Sequence, residues 1–344
     1  MSGLIIGGPI IGGPVTGGPV TGGPVTGRFA PTPSGRLHLG NILCAMLAYL
    51  SARSRGGRFL LRIEDVDIPR CPKRLADQCI EDVDIPSCPA RLSRQCIDDL
   101  SFLGFTWDEP PLFQSERGDI YQRYFDELTE RGLVYPCFCT RAQLHAAQAP
   151  NLGDHEPVYA GTCARLTPEE IAEREATRRP AMRMRTPDKT VTAHDRQYGA
   201  FAENLARDCG DYIIRRSDGL WGYQFACVVD DALTGVTEVV RGRDILFSTP
   251  RQIELFDTLG FAAPSYAHIP LLTDCEGRRL AKRDKDLDLT ALSKRMTPAQ
   301  ILGMLAFSAG VIDRNCAMTL PQLVREFDWA NVRKDDMRLP REMC

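Results

Sequence analysis

The stretch from residue 28 to residue 63 constrains the fold most, because it joins two apolar strands through one helix. RFA predicts a short first strand, PTPSG a turn, and RFLLRI a second strand. Between them, apolar residues recur at steps of three and four positions, which is typical of a helix with one buried face that Gly56 and Gly57 end. These positions are Leu39, Ile42, Leu43, Met46, Leu47 and Leu50. The stretch therefore predicts a β-α-β unit.

The second strand leads into a tandem duplication. Residues 64–80 and 81–97 are two copies of a 17-residue unit that agree at 13 positions. Glu64 follows directly on the apolar strand FLLRI, and the end of a strand is where an open α/β sheet presents its ligand groups. Glu81 follows LADQCI, a helix-like stretch that would have to serve as a replacement strand. We expect Glu64 to be the functional copy, with the first repeat looped out after it.

The chain begins with a low-complexity array. Residues 5–24 repeat the pentapeptides IIGGP and VTGGP, each with two glycines and one proline. Glycine raises the entropy of a chain and proline removes a backbone donor, so we predict a flexible leader over residues 1–27. No Gly-Lys-Ser/Thr follows, which argues against a phosphate-binding P-loop.

Composition limits the class of protein. A chain of 344 residues with 43% hydrophobic residues can bury the core of one large or two medium domains. Its formal charge of −3 gives no global basic field, so any RNA contact must rest on a local cluster. That cluster is Arg178, Arg179, Arg183 and Arg185. Neither a membrane span nor a secretory signal is expected, which favours the cytosol and, for the thirteen cysteines, free thiols or metal ligands.

Two segments could hold a polyphosphate. The helix that opens at Gly40 presents its first-turn amides to an anion, and His38 beside it can donate to a phosphate. RRLAKR places Lys282 in a cationic loop. Taken alone, His38 is interpreted as a helix cap, and the loop is interpreted as a basic surface exposed to solvent. Together they favour a triphosphate site, because attack on an α-phosphorus requires position and positive charge rather than a covalent group.

The motifs RFAPTPSGRLHLGN, LLRIEDVD, YQFACVVDD, VVRGRDILFSTPRQ and RRLAKR, in this order, resemble the glutamyl branch of the class I aminoacyl-tRNA synthetases. HLGN and RLAKR correspond to the HIGH and KMSKS signatures. The resemblance covers residues 28 to about 335. Only 61 residues follow Arg283, too few for the anticodon-binding domain of a glutamyl-tRNA synthetase, and FDWANV resembles the ending of the glutamyl-queuosine tRNA(Asp) synthetases.

This resemblance implies a class I Rossmann-like α/β domain with an inserted zinc-containing, acceptor-binding-like subdomain and a short helical C-terminal region. The expected parts after the leader are residues 28–134 and 211–283 for the two catalytic halves, 135–210 for the inserted subdomain and 284–344 for the helical region. The duplication at 64–97 lies in the first half.

The resemblance also implies the site residues position by position. Glutamate would be held by Arg28, Ala30, Thr32, Glu64, Tyr223 and Arg241. ATP would be held by His38, Gly40, Asn41 and Lys282, of which His38 and Lys282 would act in catalysis. Glutamate carries one ammonium, which an acid such as Glu64 can pair, and two carboxylates. Arg28 or Arg241 can bind the side-chain carboxylate, and glutamine would forfeit about 1.5 to 3 kcal/mol per charged bond.

Two departures from the family bear on these expectations. Glu81 has the family's usual spacing to Trp107, as Glu64 has to His38, so the second copy stays an alternative. In RLAKR, Ala281 stands where a serine is usual and Arg279 where a lysine is usual, which weakens the hydroxyl contact of the loop but keeps its charge.

A cysteine cluster predicts a metal site. Cys137 and Cys139 in YPCFCTR, with Cys163 in VYAGTC, provide three soft ligands for a closed tetrahedral zinc site. Spacing alone nominates His155 or His145 as the fourth ligand. The family's Tyr-x-x-x-Cys pattern implies Tyr159 instead, but the loop HAAQAPNLGDHEP is longer than its family counterpart, so His155 remains an alternative.

The expected enzyme activates L-glutamate with ATP and Mg²⁺ and transfers it to queuosine-containing tRNA(Asp), as a monomer with one zinc and no membrane partner. One alternative is a truncated glutamyl-tRNA synthetase that charges a tRNA 3′ end. The other is a non-catalytic RNA-binding paralogue, which would have no use for the glutamate residues.

Overall fold

The computed structural model describes residues 24–66, 89–140, 143, 158–278 and 289–340. The strands are β1 (Thr26–Phe29), β2 (Arg58–Ile63), β3 (Leu112–Phe113), β4 (Val134–Cys137), β5 (Ala181–Met184), β6 (Thr190–Asp195), β7 (Gly199–Asn204), β8 (Tyr212–Arg215), β9 (Glu238–Gly242), β10 (Ser265–Ile269), β11 (Leu272–Thr273) and β12 (Met337–Arg338). The α-helices are α1 (Leu39–Arg53), α2 (Pro89–Phe102), α3 (Gly118–Glu130), α4 (Pro168–Glu175), α5 (Tyr223–Leu233), α6 (Thr249–Thr258), α7 (Leu289–Leu292), α8 (Pro298–Ala309) and α9 (Leu320–Glu326).

The predicted β-α-β unit is confirmed. Strands β1 and β2 pair in parallel, with Arg28 opposite Leu60, and α1 connects them. All six apolar positions predicted for the helix face are buried. Gly57 is required after the helix, because an added Cβ there would lie 2.4 Å from the carbonyl oxygen of Val25.

A seven-stranded sheet of order β3-β2-β1-β9-β10-β6-β7 forms the centre of the protein. Its strands pair in parallel except β6 and β7, which form an antiparallel hairpin at one edge. The chain runs outward from β1 to β2 on one side and returns as β9 on the other. Such a reversal of strand order opens a crevice at the carboxyl ends of the strands, where ligands bind in open α/β sheets.

A second sheet, β4-β5-β8, is antiparallel and lies outside the main one. The range predicted for the inserted subdomain, residues 135–210, contains strands of both sheets. Strands β6 and β7, inside residues 135–210, extend the main sheet, whereas β8, after residue 210, belongs to the small one. The predicted end of the leader, residue 27, also falls inside β1, because Thr26 and Gly27 already pair with β2.

The largest hydrophobic core surrounds α1, which packs on β1, β2 and β9 and contacts α8 and α9 from the C-terminal region. MTPAQILGMLAFSAG, in the expected helical region, forms α8, with a capping box at Thr297 and a left-handed Gly310 at its end. Among the described residues, no helix has both the length and the apolar character that crossing a bilayer requires.

Candidate active site

A cleft of about 810 Å³ opens where β1, β2 and β9 end and α1 begins. Eight of the predicted site residues line it: Ala30, Thr32, His38, Gly40, Asn41, Glu64, Tyr223 and Arg241. Arg28 is buried next to the cleft, on β1. Lys282 lies outside the described residues. The elements on which these side chains lie are far apart in sequence, and the parallel sheet brings them to one edge.

His38 precedes α1 as its N-cap residue, but its side chain makes no capping hydrogen bond to the helix. A Cβ added at Gly40 would lie 3.2 Å from the imidazole of His38. The glycine therefore lets the imidazole fold over the start of the helix. The first turn of α1 contains no acidic residue. A helix start with this composition favours an anion at the cleft.

Glu64 follows the last residue of β2 and is 8% exposed. Its backbone amide donates to the carbonyl of Pro31 at 3.0 Å, which fixes the carboxylate beside the loop after β1. Burial raises the pKa of Glu64, and Arg62, which donates to Oε1 at 2.9 Å, opposes that shift. Glu81 lies outside the described residues.

Arg62 is a site residue that the sequence analysis missed. It also donates to Asp231 on α5, and Arg28 donates to the same carboxylate oxygen at 3.3 Å. Burial acts to raise the pKa of Asp231, but the two guanidiniums hold it below its usual range. Asp231 therefore compensates two buried arginines, and Glu64 and Asp230, whose Oδ2 lies 4.0 Å from Nε of Arg62, add further negative charge.

Arg241 has a different environment. It lies on β9, is 4% exposed, and donates to three neutral acceptors: Nε2 of His268 at 2.9 Å, Oε1 of Gln252 at 2.7 Å and Oγ1 of Thr249 at 2.9 Å. Its guanidinium also lies 5.2 Å from the ring centroid of Tyr266. Among the described residues, no carboxylate pairs with Arg241. The arrangement leaves a buried positive charge at the cleft that an anionic ligand can neutralise.

His268 connects Arg241 to a buried acid. Its Nδ1 lies 2.6 Å from Oδ2 of Asp195, and both side chains are almost fully buried. Burial lowers the pKa of His268 to about 4, and the nearby charge of Arg241 contributes, although Asp195 opposes the shift. The imidazole is therefore neutral at pH 7, with Nδ1 donating to Asp195 and Nε2 accepting from Arg241.

The cysteine cluster is brought together as predicted. The Sγ atoms of Cys137, Cys139 and Cys163 lie within 4.8 Å of one another. The Tyr159 hydroxyl lies 3.5 Å from the sulfur of Cys137 and 3.6 Å from that of Cys139. Sulfur ligands 2.3 Å from a tetrahedral zinc stand about 3.8 Å apart, so these four side chains fit the ion. His145 and His155 lie outside the described residues.

Comparisons with known proteins agree with this geometry. Residues 24–297 match the family "tRNA synthetases class I (E and Q), catalytic domain". The Glutamyl-Q tRNA(Asp) synthetase of Symbiobacterium thermophilum is 43% identical over 92% of this chain and 96% of its own length, and that of Thiobacillus denitrificans is 43% identical over 80% and 83%. The structure of a glutamate tRNA ligase from Elizabethkingia meningosepticum, solved in complex with its amino acid, superposes with a TM-score of 0.75, at 26% identity, covering 93% of this chain and 68% of that one. The chain therefore belongs to the glutamyl-Q tRNA(Asp) synthetase family and is an ATP-dependent class I enzyme of the aminoacyl-tRNA synthetase type.

Proposed function

We propose that this enzyme activates L-glutamate with ATP to form glutamyl-adenylate and then transfers the glutamyl group to the queuosine base of tRNA(Asp). The observation that supports glutamate as the amino acid substrate is the environment of Arg241. Among the described residues, only neutral groups hold this buried guanidinium, so it keeps a charge that a side-chain carboxylate neutralises. Arg28 supports the same pocket but is already paired with Asp231. Of the two arginines, Arg241 is therefore the better partner for the carboxylate of glutamate.

The first step needs no protein nucleophile. The α-carboxylate of glutamate attacks the α-phosphorus of ATP, and pyrophosphate leaves. His38 and the amides at the start of α1 bind the phosphates, with Lys282 of the RLAKR loop as a further cation. Mg²⁺, when bound with ATP, neutralises part of the triphosphate charge. Glu64 binds the ammonium group of glutamate and keeps its carboxylate directed at the phosphate.

In the second step, a ring hydroxyl of queuosine attacks the carbonyl of the adenylate and AMP leaves. Cys137, Cys139, Cys163 and Tyr159 would hold a zinc ion away from this chemistry. A zinc ion in such a closed site cross-links β4 to the segment around Cys163 and contributes to folding rather than to catalysis.

The test uses two versions of one RNA. Labelled glutamate should be transferred to tRNA(Asp) that contains queuosine, and not to an unmodified transcript of the same sequence with guanosine at the wobble position. Glutamate-dependent exchange of pyrophosphate into ATP should proceed without any tRNA. Transfer to the unmodified transcript, with exchange only when tRNA is added, would support the truncated synthetase. Absence of both exchange and transfer would support the RNA-binding paralogue.

An Arg241→Gln variant tests the carboxylate assignment. It should lower kcat/KM for glutamate by about tenfold to a hundredfold, because each charged hydrogen bond contributes about 1.5 to 3 kcal/mol. Arg243→Gln is the matched control. Arg243 lies two residues further along the chain, half-exposed, and pairs with Asp336. A loss of the same size in the control would show that the effect is not specific to the pocket.

A further inference from the structure

We propose that Asp195 and His268 form a positioning pair that orients the guanidinium of Arg241, and that this pair, although it does not line the cleft, sets the preference for glutamate over glutamine. The proposal rests on the proposed role of Arg241. It concerns His268 on β10, the strand next to the one that carries the arginine, and Asp195 on β6, the strand after it.

The strand pairing places the three side chains side by side. His268 on β10 is opposite Arg241 on β9, and Tyr266 on β10 is opposite Asp195 on β6. Asp195 accepts from both Nδ1 and the backbone amide of His268 through Oδ2, at 2.6 and 2.9 Å. Its other oxygen accepts from the backbone amides of Gln197 and Tyr198 at 2.9 and 3.0 Å. Four hydrogen bonds therefore fix the carboxylate.

The fixed carboxylate also determines which nitrogen of His268 carries the proton. A neutral imidazole has one donor and one acceptor nitrogen, and Asp195 requires the donor at Nδ1. Nε2 is then left as an acceptor, which receives the Nε proton of Arg241. In the other tautomer, and in imidazolium, an N–H group would face that proton. Asp195 therefore controls Arg241 through the tautomer of His268, as the carboxylate of a catalytic triad controls its histidine.

The intervening imidazole has a second effect. A carboxylate placed directly against Arg241 would neutralise the guanidinium and compete with the substrate carboxylate. With His268 between them, Asp195 fixes the orientation of the guanidinium, and the positive charge of the guanidinium remains available to the ligand. Gln252 is oriented in the same way, because its amide nitrogen donates to Gln224 and so its oxygen faces Arg241. The result is a guanidinium that is held rigidly and still selects a carboxylate over an amide.

The experiment compares glutamate with glutamine in pyrophosphate exchange for Asp195→Asn, His268→Gln and His268→Leu. In Asp195→Asn the amide nitrogen can donate to Nδ1 and reverse the tautomer. We expect the KM for glutamate to rise and the glutamate-to-glutamine ratio of kcat/KM to fall, each by about tenfold or more, with the KM for ATP within about twofold of wild type. His268→Gln should retain more of the ratio than His268→Leu, because its amide oxygen can accept from Arg241.

Asp108→Asn is the control for general loss of structure, because this half-exposed carboxylate accepts from the amide of Phe59 at the other end of β2. An unchanged ratio in Asp195→Asn, with equal losses for both amino acids, would overturn the proposal. So would a ¹⁵N spectrum of wild type that shows the proton of His268 on Nε2, a result that does not depend on activity. A wild-type protein that activates no glutamate would instead overturn the proposed function and the selectivity that rests on it.

Discussion

Three arginines are buried beside the cleft, and the structure balances their charges in two ways. Arg28 and Arg62 share Asp231, whereas Arg241 has only neutral partners among the described residues. Breaking one member of a buried ion pair costs about 3 to 5 kcal/mol, because it leaves a charge without compensation. The pairing of the first two arginines with Asp231 therefore contributes to the stability of the pocket. The third is left available for an anionic ligand.

The titration of His268 should influence stability in mild acid. Its pKa is about 4 in the folded protein and 6.5 in the unfolded chain, so between these values the unfolded chain binds the proton and the folded protein does not. Stability is therefore lost as the pH falls through this window, by about 2 kcal/mol at pH 5. Urea unfolding at pH 7 and pH 5 should show this loss in wild type and not in His268→Gln.

Among the described residues, the groups that face the imidazole are Asp195, Arg241, the hydroxyl of Thr249 at 3.4 Å from Nε2, and the ring of Tyr266, which stacks on it with the centroids 6.2 Å apart. The pKa of Asp195 lies below its usual range, so that carboxylate stays ionised across the window. The other histidines are present in both proteins and contribute equally. An equal loss of stability in wild type and variant would contradict the prediction.

The sequence pointed to some of the charged residues at the cleft but not to their pairing. Glu64 could be identified because it follows an apolar strand, and Arg241 because the motif VVRGRD resembles that of the family. Arg62 and Asp231 have a similar signal, a charged residue within RFLLRI and within FACVVDDAL, but their contact spans 169 residues. Local periodicity cannot encode which distant charge a buried group will meet. For the same reason the link between Asp195 and His268 could not be predicted.

Strand β4 and the segment around Cys163 should be joined by one zinc ion per chain. Cys137→Ser and Cys163→Ser should each lose the metal, whereas His155→Ala should keep it if Tyr159 is the fourth ligand. Metal analysis of the purified proteins measures this directly. Tyr159→Phe is the matched control, since it removes only the hydroxyl near the two sulfurs. Loss of zinc in His155→Ala with retention in Tyr159→Phe would assign the histidine instead.

The duplication provides two candidate acids for the pocket, Glu64 and Glu81, which substitution can distinguish. Strand β2 is held in register by β1 and by β3, with Ile63 opposite Phe113, and Glu64, the next residue after it, lines the cleft. We therefore expect Glu64 to be the acid that binds glutamate. Glu64→Gln should lower kcat/KM for glutamate by about a hundredfold, since a charged bond to a desolvated ammonium is worth about 3 kcal/mol. Glu81→Gln in the matching position of the second copy should have an effect of about twofold or less. Reversed effects would place the second copy in the pocket, and equal partial losses would indicate two registers in exchange.

Elements with a strong local pattern were predictable, and their assembly was less so. The periodic helix α1 and the apolar strand β2 have the predicted positions. TVTAHD alternates buried and exposed residues as strand β6. Such alternation indicates that one face of the strand is buried, but it does not indicate which sheet the strand joins. The edge position of the β6–β7 hairpin in the main sheet was therefore not predicted, and with it the environment of Asp195.

The start of the folded body should be measurable by truncation. Deleting residues 2–23 should leave the melting temperature nearly unchanged, because a leader rich in Gly and Pro contributes few fixed contacts. Deleting residues 2–26 removes the bond from Arg58 to the Val25 carbonyl at 2.7 Å and both bonds that link Thr26 to Thr237, at 2.9 Å. That loss, about 3 kcal/mol, should lower the melting temperature by about 4 °C. A large drop in the shorter deletion would mean that the array packs against the body.

The position of β1 between β2 and β9 also has a consequence during synthesis. Arg28 and its partner Asp231 are separated by 203 residues, and β1 gains its second neighbour only with β9. At about 5 to 20 residues per second, a ribosome needs about 10 to 40 s to make that length of chain. During this interval one edge of the first strand has no β9 to pair with, and Arg28 has no Asp231, because those residues have not yet been synthesised. The nascent chain is most exposed to aggregation then, and the pocket can close only after residue 242 has left the exit tunnel.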